Sequence, residues 1–516
     1  MIILNRKKCT GGEIIFYKTY SAGVIGIDGF MVEVETDISN GLPQYSLVGL
    51  PDSAVKESRE RVRAAMRNSG FSFPLGRITV NLAPAHVKKV GPSYDLPVAV
   101  SILAASTQWQ LPNLQDSVII GELSLDGKVK SVRGALPMAM AAKAHGFRQL
   151  VVPKDNAMEA SLSGLAVYPL EHLRDFPSLF TKKPYTPPHS LSSCSHAPDF
   201  ADIIGQAHAK RALEIAAAGF HNVLLTGPPG TGKTMLASCL PSILSPLSFQ
   251  EWLEIVKIYS ASGKDLTLAE PKRPFRAPHH SITPAGLIGG GNQMKPGELT
   301  LAHHGVLFLD EVCEFPRYVL DLLRQPLEDR KIELHRQHLY MTFPARFMLI
   351  CSQNPCPCGY YGYPDGVNEC KCKSQQLERY QKRLSGPLID RFDIKIEVSR
   401  LPVEFFIDQE KGEESSISIR ERVIRAVEIQ HERFKQSHTR CNAEMTPAEI
   451  KVYCQLPRAA ASLLRLIYEQ FQMSHRAHHR LLKIARTIAD LKGKDTISEE
   501  VIAEAAQYRN VEKNFF

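Results

Sequence analysis

Residues Gly227-Pro228-Pro229-Gly230-Thr231-Gly232-Lys233-Thr234 follow the apolar run Val223-Leu224-Leu225 and precede Met235-Leu236-Ala237. A strand, a glycine turn and a helix start in that order make a phosphate-binding loop whose backbone N–H groups point inward at an anion. Lys233 neutralises charge on the β- and γ-phosphates, and the Thr234 hydroxyl is a ligand for Mg2+, so the cofactors expected are ATP and Mg2+. Further on, Gly305-Val306-Leu307-Phe308-Leu309-Asp310-Glu311 is a buried strand ending in two carboxylates. Asp310 can hold Mg2+ there and Glu311 can polarise an attacking water. A third apolar strand, Phe347-Met348-Leu349-Ile350, runs to Asn354, whose amide can orient that water. Leu388-Ile389-Asp390-Arg391-Phe392-Asp393 then offers an arginine able to reach a neighbouring subunit's γ-phosphate.

Two further clusters carry possible chemistry. Cys356-Pro357-Cys358 and Cys370-Lys371-Cys372 are two close pairs separated by a loop of glycine, proline and tyrosine. Four thiolates so arranged can close a tetrahedral site on a structural Zn2+; the alternative is four free thiols. Lys371, Lys373, Arg379, Lys382 and Arg383 flank the cluster, which is expected to be a structural knuckle with a basic surface. The stretch 329–339 alternates apolar and polar residues like a hairpin. Its basic residues Arg330, Lys331, His335 and Arg336, together with the segment Pro274–Glu298, are candidates to track DNA phosphates in a central channel. A hairpin that only packs against its own subunit is the other reading.

The elements that must position these groups belong to an ordinary globular chain of 516 residues, 44% hydrophobic and 22% charged, with a formal net charge of +8. That balance excludes a disordered chain and is compatible with a nucleic-acid partner. No apolar stretch reaches membrane-spanning length, and Arg6-Lys7-Lys8 follows the apolar start, the reverse of a secretory signal. A cytoplasmic protein without a membrane partner is expected. Residues 181–198, rich in proline and serine, read as a linker. Before it, strand patterns such as Phe30–Thr36 and Arg77–Leu82 alternate with helical ones such as Asp52–Ser69, and so predict an α/β domain. After it comes a second α/β core over 199–400 and a helical tail over 401–516. In the tail, Thr446-Pro447-Ala448-Glu449 is a capping box.

The order phosphate loop, Asp-Glu strand, strand-Asn354, Leu388–Asp393 and Ser474-His475-Arg476 resembles the helix-2-insert AAA+ ATPases, a group that includes MCM helicases and magnesium chelatase. The resemblance implies a P-loop α/β core with a helix-2 insert and a pre-sensor-1 hairpin, capped by a helical C-terminal lid. It makes Asn354 the sensor 1 residue, Arg391 a trans arginine finger and Arg476 the sensor 2 arginine. A finger given in trans implies a ring, with a homo-hexamer expected. Arg273–Ser281, Gly289-Gly290-Gly291, Pro296-Gly297-Glu298, Asn354–Gly359 and Ala485–Leu491 narrow the resemblance to the ComM/YifB family of magnesium-chelatase-like proteins. That family includes hexameric DNA branch-migration helicases of natural transformation. It implies single-stranded and branched DNA, and recombinase-pathway proteins, as partners. Cys351-Ser352-Gln353 departs from the family's usual small-residue run, and residues 1–20 fall outside the resemblance, which sets the expected start downstream.

Over residues 21–180, Gly121–Val129, Val151-Val152-Pro153 and Asn156 resemble the proteolytic domain of Lon and the similar (S5-like) domain of RadA. Gly91-Pro92-Ser93 imitates the Lon serine motif, but Pro137 stands in the segment where a lysine base is required. The expectation is therefore a Lon-like domain without a catalytic dyad, with Ser93 structural. Two rivals to a DNA motor follow from the same motifs: a chelatase-like ATPase that remodels a metal-inserting partner, and an ATP-dependent protease.

Overall fold

Alternating apolar residues in one half of the chain and unbroken apolar runs in the other demand two kinds of sheet, one partly solvated and one covered on both faces. The computed structural model describes residues 8–9, 12–13, 15–109, 114–187, 198–264, 271–291, 294–336, 339–363, 369–401 and 413–509. Their contacts separate into two units, one of 1–193 with 252–270 and 291–296, the other of 194–251, 271–290 and 297–516. Among the described residues no helix is long and apolar enough to cross a membrane.

The first unit holds a seven-stranded mixed sheet. Its strands are β1 (Ile15–Ile25), β2 (Asp28–Ser39), β3 (Gln44–Val48), β4 (Arg77–Ala83), β5 (Ser117–Ile119), β6 (Gln149–Pro153) and β7 (Ala166–Leu170). They lie in the order β7-β6-β5-β1-β2-β4-β3, antiparallel at β1-β2 and β2-β4 and parallel elsewhere. β1 runs across residue 20, the end of the segment that the family resemblance leaves out. Helix α1 (Ser53–Asn68) starts at Asp52, whose carboxylate accepts from the Val55 N–H at 2.8 Å, and buries Val55, Val62, Ala65 and Met66 at helical spacing. Helix α2 (Asp95–Ala105) is buried along its whole length, and α3 (Ala135–Ala144) follows the left-handed Gly134. Ser93, in the turn before α2, is buried, and Pro137 lies inside α3.

The second unit is built on β8 (Val223–Thr226), β9 (Phe275–Arg276), β10 (Val306–Leu309), β13 (Met348–Gln353) and β14 (Ile394–Glu397), with a separate hairpin of β11 (Lys331–Arg336) and β12 (Leu339–Pro344). The five-stranded sheet is parallel throughout, in the order β9-β10-β13-β8-β14. β8, β10 and β13 are fully buried, as strands of a doubly covered sheet must be. The segment 274–298, a candidate for tracking DNA phosphates, begins inside the fold: Phe275–Arg276 forms the edge strand of this sheet and Arg276 grips Glu298 through two N–H bonds of 2.6 and 2.8 Å. Two isolated residues of extended chain are too few to leave a period in the sequence.

Helices α4 (Ala207–Gly219), α5 (Lys233–Ile243), α6 (Ser374–Gln381), α7 (Ser416–Arg433), α8 (Pro447–Tyr453), α9 (Arg458–Phe471), α10 (His475–Leu491) and α11 (Glu499–Gln507) belong to this unit, beside shorter helical turns. α8 begins in the capping box of Thr446 and Glu449, and α10 begins with Ser474 accepting from the Ala477 N–H at 3.2 Å. Val223, Met348 and Ile394 of the sheet share one apolar cluster with Val423, Leu464, Ile484 and Val501 of the later helices. The linker's residues 188–197, and residues 402–412, lie outside the described residues.

The first unit depends on one buried charge. Asp95 is fully buried, and burial pushes its carboxyl up to about 6 although Arg61 holds it through bonds of 2.7 and 3.0 Å. Removing the partner of a buried ion costs about 3–5 kcal/mol. Arg61→Ala is therefore expected to lower the first thermal transition by several degrees, while Lys18→Ala, which breaks a half-exposed pair with Glu33, leaves it nearly unchanged. Differential scanning calorimetry of the full chain checks both.

Candidate nucleotide and metal site

The carboxyl ends of β8, β10 and β13 lie side by side. Thr226 pairs with Gln353, and Leu309 pairs with Cys351. The residues just past those ends are Gly227, Asp310 and Asn354. Gly230 and Gly232 take φ of +78° and +84°, left-handed values that a side chain resists, and α5 starts at Lys233. The loop closes on itself through Thr231, whose hydroxyl donates to the Pro228 carbonyl at 3.0 Å.

Lys233 donates to the Gly227 and Pro228 carbonyls, each at 2.8 Å, and to Asn354 Oδ1 at 3.2 Å. Burial pushes its ammonium down to about 8, opposed by the charges of Asp310 and Glu311. The Thr234 hydroxyl donates to Asp310 Oδ2 at 2.9 Å, so the two expected Mg2+ ligands already face each other. The other Asp310 oxygen receives the Ser352 hydroxyl. Glu311 stands at φ +49°, a left-handed strain held by its N–H bonds to Ser352 Oγ at 2.9 Å and Asp310 Oδ1 at 3.1 Å. Ser352 thus holds the Asp310 carboxylate and the backbone of Glu311. As a residue of the atypical run before Asn354, it gave no hint of this beyond its place on the strand leading to that asparagine.

Arg391 and Arg476 are gathered elsewhere. Arg391 is buried, pairs with Glu328 at 2.7 Å and donates to the carbonyls of Arg324 and Pro387, while Arg476 approaches Glu328 at 3.8 Å. None of these partners is a residue of the phosphate loop. The structure therefore brings Lys233, Thr234, Asp310, Glu311 and Asn354 together and sets the two arginines apart as a second group. Glu328, which joins that group, carried no sequence signal.

The four cysteines converge. Their sulfurs lie within 4.8 Å of one another, with Cys356–Cys358 at 3.2 Å, Cys358–Cys370 at 3.7 Å and Cys356–Cys370 at 3.8 Å. A tetrahedron with zinc–sulfur bonds of about 2.3 Å has edges of about 3.8 Å, so the set fits that ion. The N–H groups of Gly359 and Tyr361 donate to Cys356 Sγ at 3.2 and 3.4 Å. Burial works to raise Cys358, yet hydrogen bonds from the Tyr360 backbone and the neighbouring thiols outweigh it and hold the thiol at about 6, whereas Cys370 is pushed up to about 12 by burial.

In the hairpin, Arg330 is turned inward at φ +57°, with its guanidinium on the Phe347 carbonyl at 3.3 Å and near Glu444 at 3.8 Å. Lys331 pairs with Glu333 at 2.6 Å, and His335 lies across from the exposed Tyr340 with ring centroids 4.5 Å apart. The Arg336 side chain and residues 337–338 lie outside the described residues.

Three family profiles cover most of the chain: "Magnesium chelatase, subunit ChlI" over residues 199–405, "Subunit ChlI of Mg-chelatase" over 34–156, and "Magnesium chelatase, subunit ChlI C-terminal" over 413–509. YifB of Salmonella typhimurium is 43% identical over 504 residues, 96% of this chain and 97% of its own. The competence protein ComM of Haemophilus influenzae is 44% identical over 500 residues, 95% and 96% of the two chains. Lon protease 2 of Bacillus subtilis matches over 175 residues at 31% identity, 32% of this chain and 30% of its own. The parallel sheet with a phosphate loop at its carboxyl edge and these profile matches define a magnesium-chelatase-like AAA+ protein, a class that implies ATP and Mg2+ as cofactors. Within that class, the full-length matches place this chain in the ComM/YifB family, to which it belongs.

Two outcomes follow from the geometry. Nucleotide phosphates stabilise charged Lys233, so binding takes up a proton once the pH exceeds about 8, and affinity for a fluorescent ATP analogue should be flat below that pH and fall as it rises further. Ser352→Ala frees one Asp310 oxygen and is expected to raise the Mg2+ needed for half-maximal turnover by about tenfold, with Mg2+-free nucleotide affinity unchanged. Titration of Mg2+ at fixed ATP measures it.

Proposed function

We propose that this chain is an ATP-driven ring motor, a homo-hexamer, that translocates on DNA and moves branched junctions in homologous recombination during natural transformation. The observation that carries the reading is the separation of two half-sites. Lys233, Thr234, Asp310, Glu311 and Asn354 form a pocket for Mg2+-ATP, and the arginines suited to a γ-phosphate stand in a different group around Glu328. Such a pocket is completed by Arg391 of an adjacent copy, with Arg476 beside it, and head-to-tail copies that share sites close into a ring. The name of the Haemophilus relative, a competence protein, points the motor toward DNA taken up by cells.

In this reading the chain divides into a Lon-like domain over 21–180 without a dyad, a linker over 181–198, an ATPase core over 199–400 and a helical lid over 401–516. Lys331, His335 and Arg336 on the hairpin contact the DNA backbone, with Tyr340 beside them to stack on a base. Arg330 serves the fold instead. Cys356, Cys358, Cys370 and Cys372 hold a structural Zn2+. ATP turnover in the cytoplasm, in concert with recombinase-pathway proteins, supplies the motion.

Lys233→Ala is expected to abolish turnover and Glu311→Gln to leave ATP bound while lowering kcat by at least about a hundredfold. Mixing Lys233→Ala with Arg391→Ala should restore hydrolysis, because one interface of the mixture regains both halves; failure at every ratio would sink the shared site. The decisive assay is branch migration on a synthetic four-way junction. Turnover indifferent to DNA but raised by a porphyrin-binding partner would favour a chelatase-like remodeller. Casein degradation lost in Ser93→Ala would favour a protease.

A further inference from the structure

The four-cysteine knuckle does not stand apart from the nucleotide pocket. Gly359 lies inside the knuckle at φ +90°, and a Cβ there would come within 2.5 Å of Pro229 Cδ and 2.7 Å of Pro229 Cγ. The backbone of the knuckle therefore lies directly on the phosphate loop, at a distance only glycine permits. Gly359 is itself pinned by the first cysteine, its N–H shared between the Cys356 carbonyl at 3.0 Å and Cys356 Sγ at 3.2 Å.

A second set of contacts reaches the pocket from the far side of the cluster. Cys356 follows Asn354 by two residues, and α6 begins two residues after Cys372. On α6, the buried Tyr380 lies close enough to the Asn354 backbone N–H and the Cys313 thiol for both to act on its hydroxyl. Cys313 in turn donates to Gln353 Oε1 at 3.7 Å, and Gln353 holds Thr226 Oγ1 at 3.0 Å and the Gly227 N–H at 3.2 Å. Both ends of the cysteine loop are thus tied to residues that line the phosphates.

We infer that the metal-loaded knuckle is a wall of the ATP pocket: the ion held by Cys356, Cys358, Cys370 and Cys372 fixes Gly359 against Pro229 and Asn354 against Tyr380, and so sets the affinity for nucleotide. The described stretches 355–363 and 369–372 offer glycine, proline and tyrosine but little to build a core, so the free energy of metal binding is what holds them together. Without the ion, nothing bridges the four sulfurs gathered within 4.8 Å of one another, and the contact at Pro229 loses its support. The inference rests on the reading of the cysteines as a zinc site and of the loop as an ATP site.

Coupling of this kind is reciprocal: if the metal strengthens ATP binding by some factor, ATP must strengthen metal retention by the same factor. The test uses the full chain. Zinc per chain is measured by mass spectrometry, dissociation of a fluorescent ATP analogue is measured with and without zinc, and zinc transfer to a chromogenic chelator is measured with and without a non-hydrolysable ATP analogue. The expected results are one zinc per chain, nucleotide binding weakened about tenfold on zinc removal, and zinc affinity raised about tenfold by the nucleotide. Gly359→Ala should keep its zinc and still weaken nucleotide binding, and Cys372→Ser should lose both. If these variants misfold, the reciprocal measurement on the unaltered chain decides. A chain that holds no zinc as purified, takes up none when zinc is added and still binds nucleotide overturns both this inference and the zinc site; zinc without nucleotide binding overturns it through the ATP reading. Zinc and nucleotide that bind with less than about a twofold mutual effect overturn the inference alone.

Discussion

The nucleotide site rests on the register of one parallel ladder. Because Thr226 faces Gln353 and Leu309 faces Cys351, the ends of β8, β10 and β13 deliver Gly227, Asn354 and Asp310 to one level. The Gly227 N–H extends the ladder one step past the strand, to the Gln353 carbonyl at 3.2 Å. Side chains alternate along a strand, so a slip of one residue in β13 would turn Ser352 away from Asp310 and leave that buried hydroxyl and carboxylate unmatched. The unbroken apolar runs of the three strands make such a slip costly for the core but would not by themselves prevent it. Polar pins at the other end of the sheet do.

Asn222, buried one residue before β8, is the chief pin. Its Oδ1 accepts the Leu349 N–H at 2.9 Å, its Nδ2 donates to the Arg391 carbonyl at 3.1 Å, and its own N–H donates to the Asp393 carboxylate at 3.1 Å. One amide thus fixes β13 against β8 and sets the backbone of Arg391. Asp393 carries the constraint onward: although burial opposes it, Arg480 at 2.7 Å and His221 hold its carboxyl far below the usual range. His221 reaches Thr487 at 2.8 Å, and both Arg480 and Thr487 belong to α10. The sheet that carries the phosphate loop and the helix that carries Arg476 are therefore joined through polar side chains, most of them buried, an arrangement that tolerates few alternatives.

What could be read from the sequence was what is local. The phosphate loop, the Asp310–Glu311 strand end, Asn354, the capping box at Thr446 and the two cysteine pairs each lie within a few consecutive residues, and the strand ends, the helix start and the gathering of the four sulfurs stand where those residues pointed. What could not be read depends on distant partners. Asn222 and Leu349 are 127 residues apart, and nothing near either announces the bond. Ser352 looked like a departure from a pattern because its role is visible only from Asp310. Arg330 looked like a basic hairpin residue, but Phe347 and Glu444 claim its guanidinium. Strand β9 is too short to leave a period, so its place at the sheet edge came from pairing alone.

Glu328 shows how lightly the arginine group is held where it rests. Arg391 is buried, and its carbonyl bonds to Arg324 and Pro387 cost little to exchange, since each is a single neutral acceptor. Among the described residues its ionic partner is Glu328, which is half exposed, and an ion pair in such a place contributes only about 1 kcal/mol or less. Arg324, Arg476 and Arg480 meanwhile repel Arg391 where it lies. A polyphosphate brought within reach offers several oxygens and more than one negative charge, so it competes easily for a guanidinium held this way. Removing Glu328 would thus not free the arginine so much as deprive it of a resting place among three like charges. For that reason the carboxylate and the arginines act as one unit rather than as separate residues.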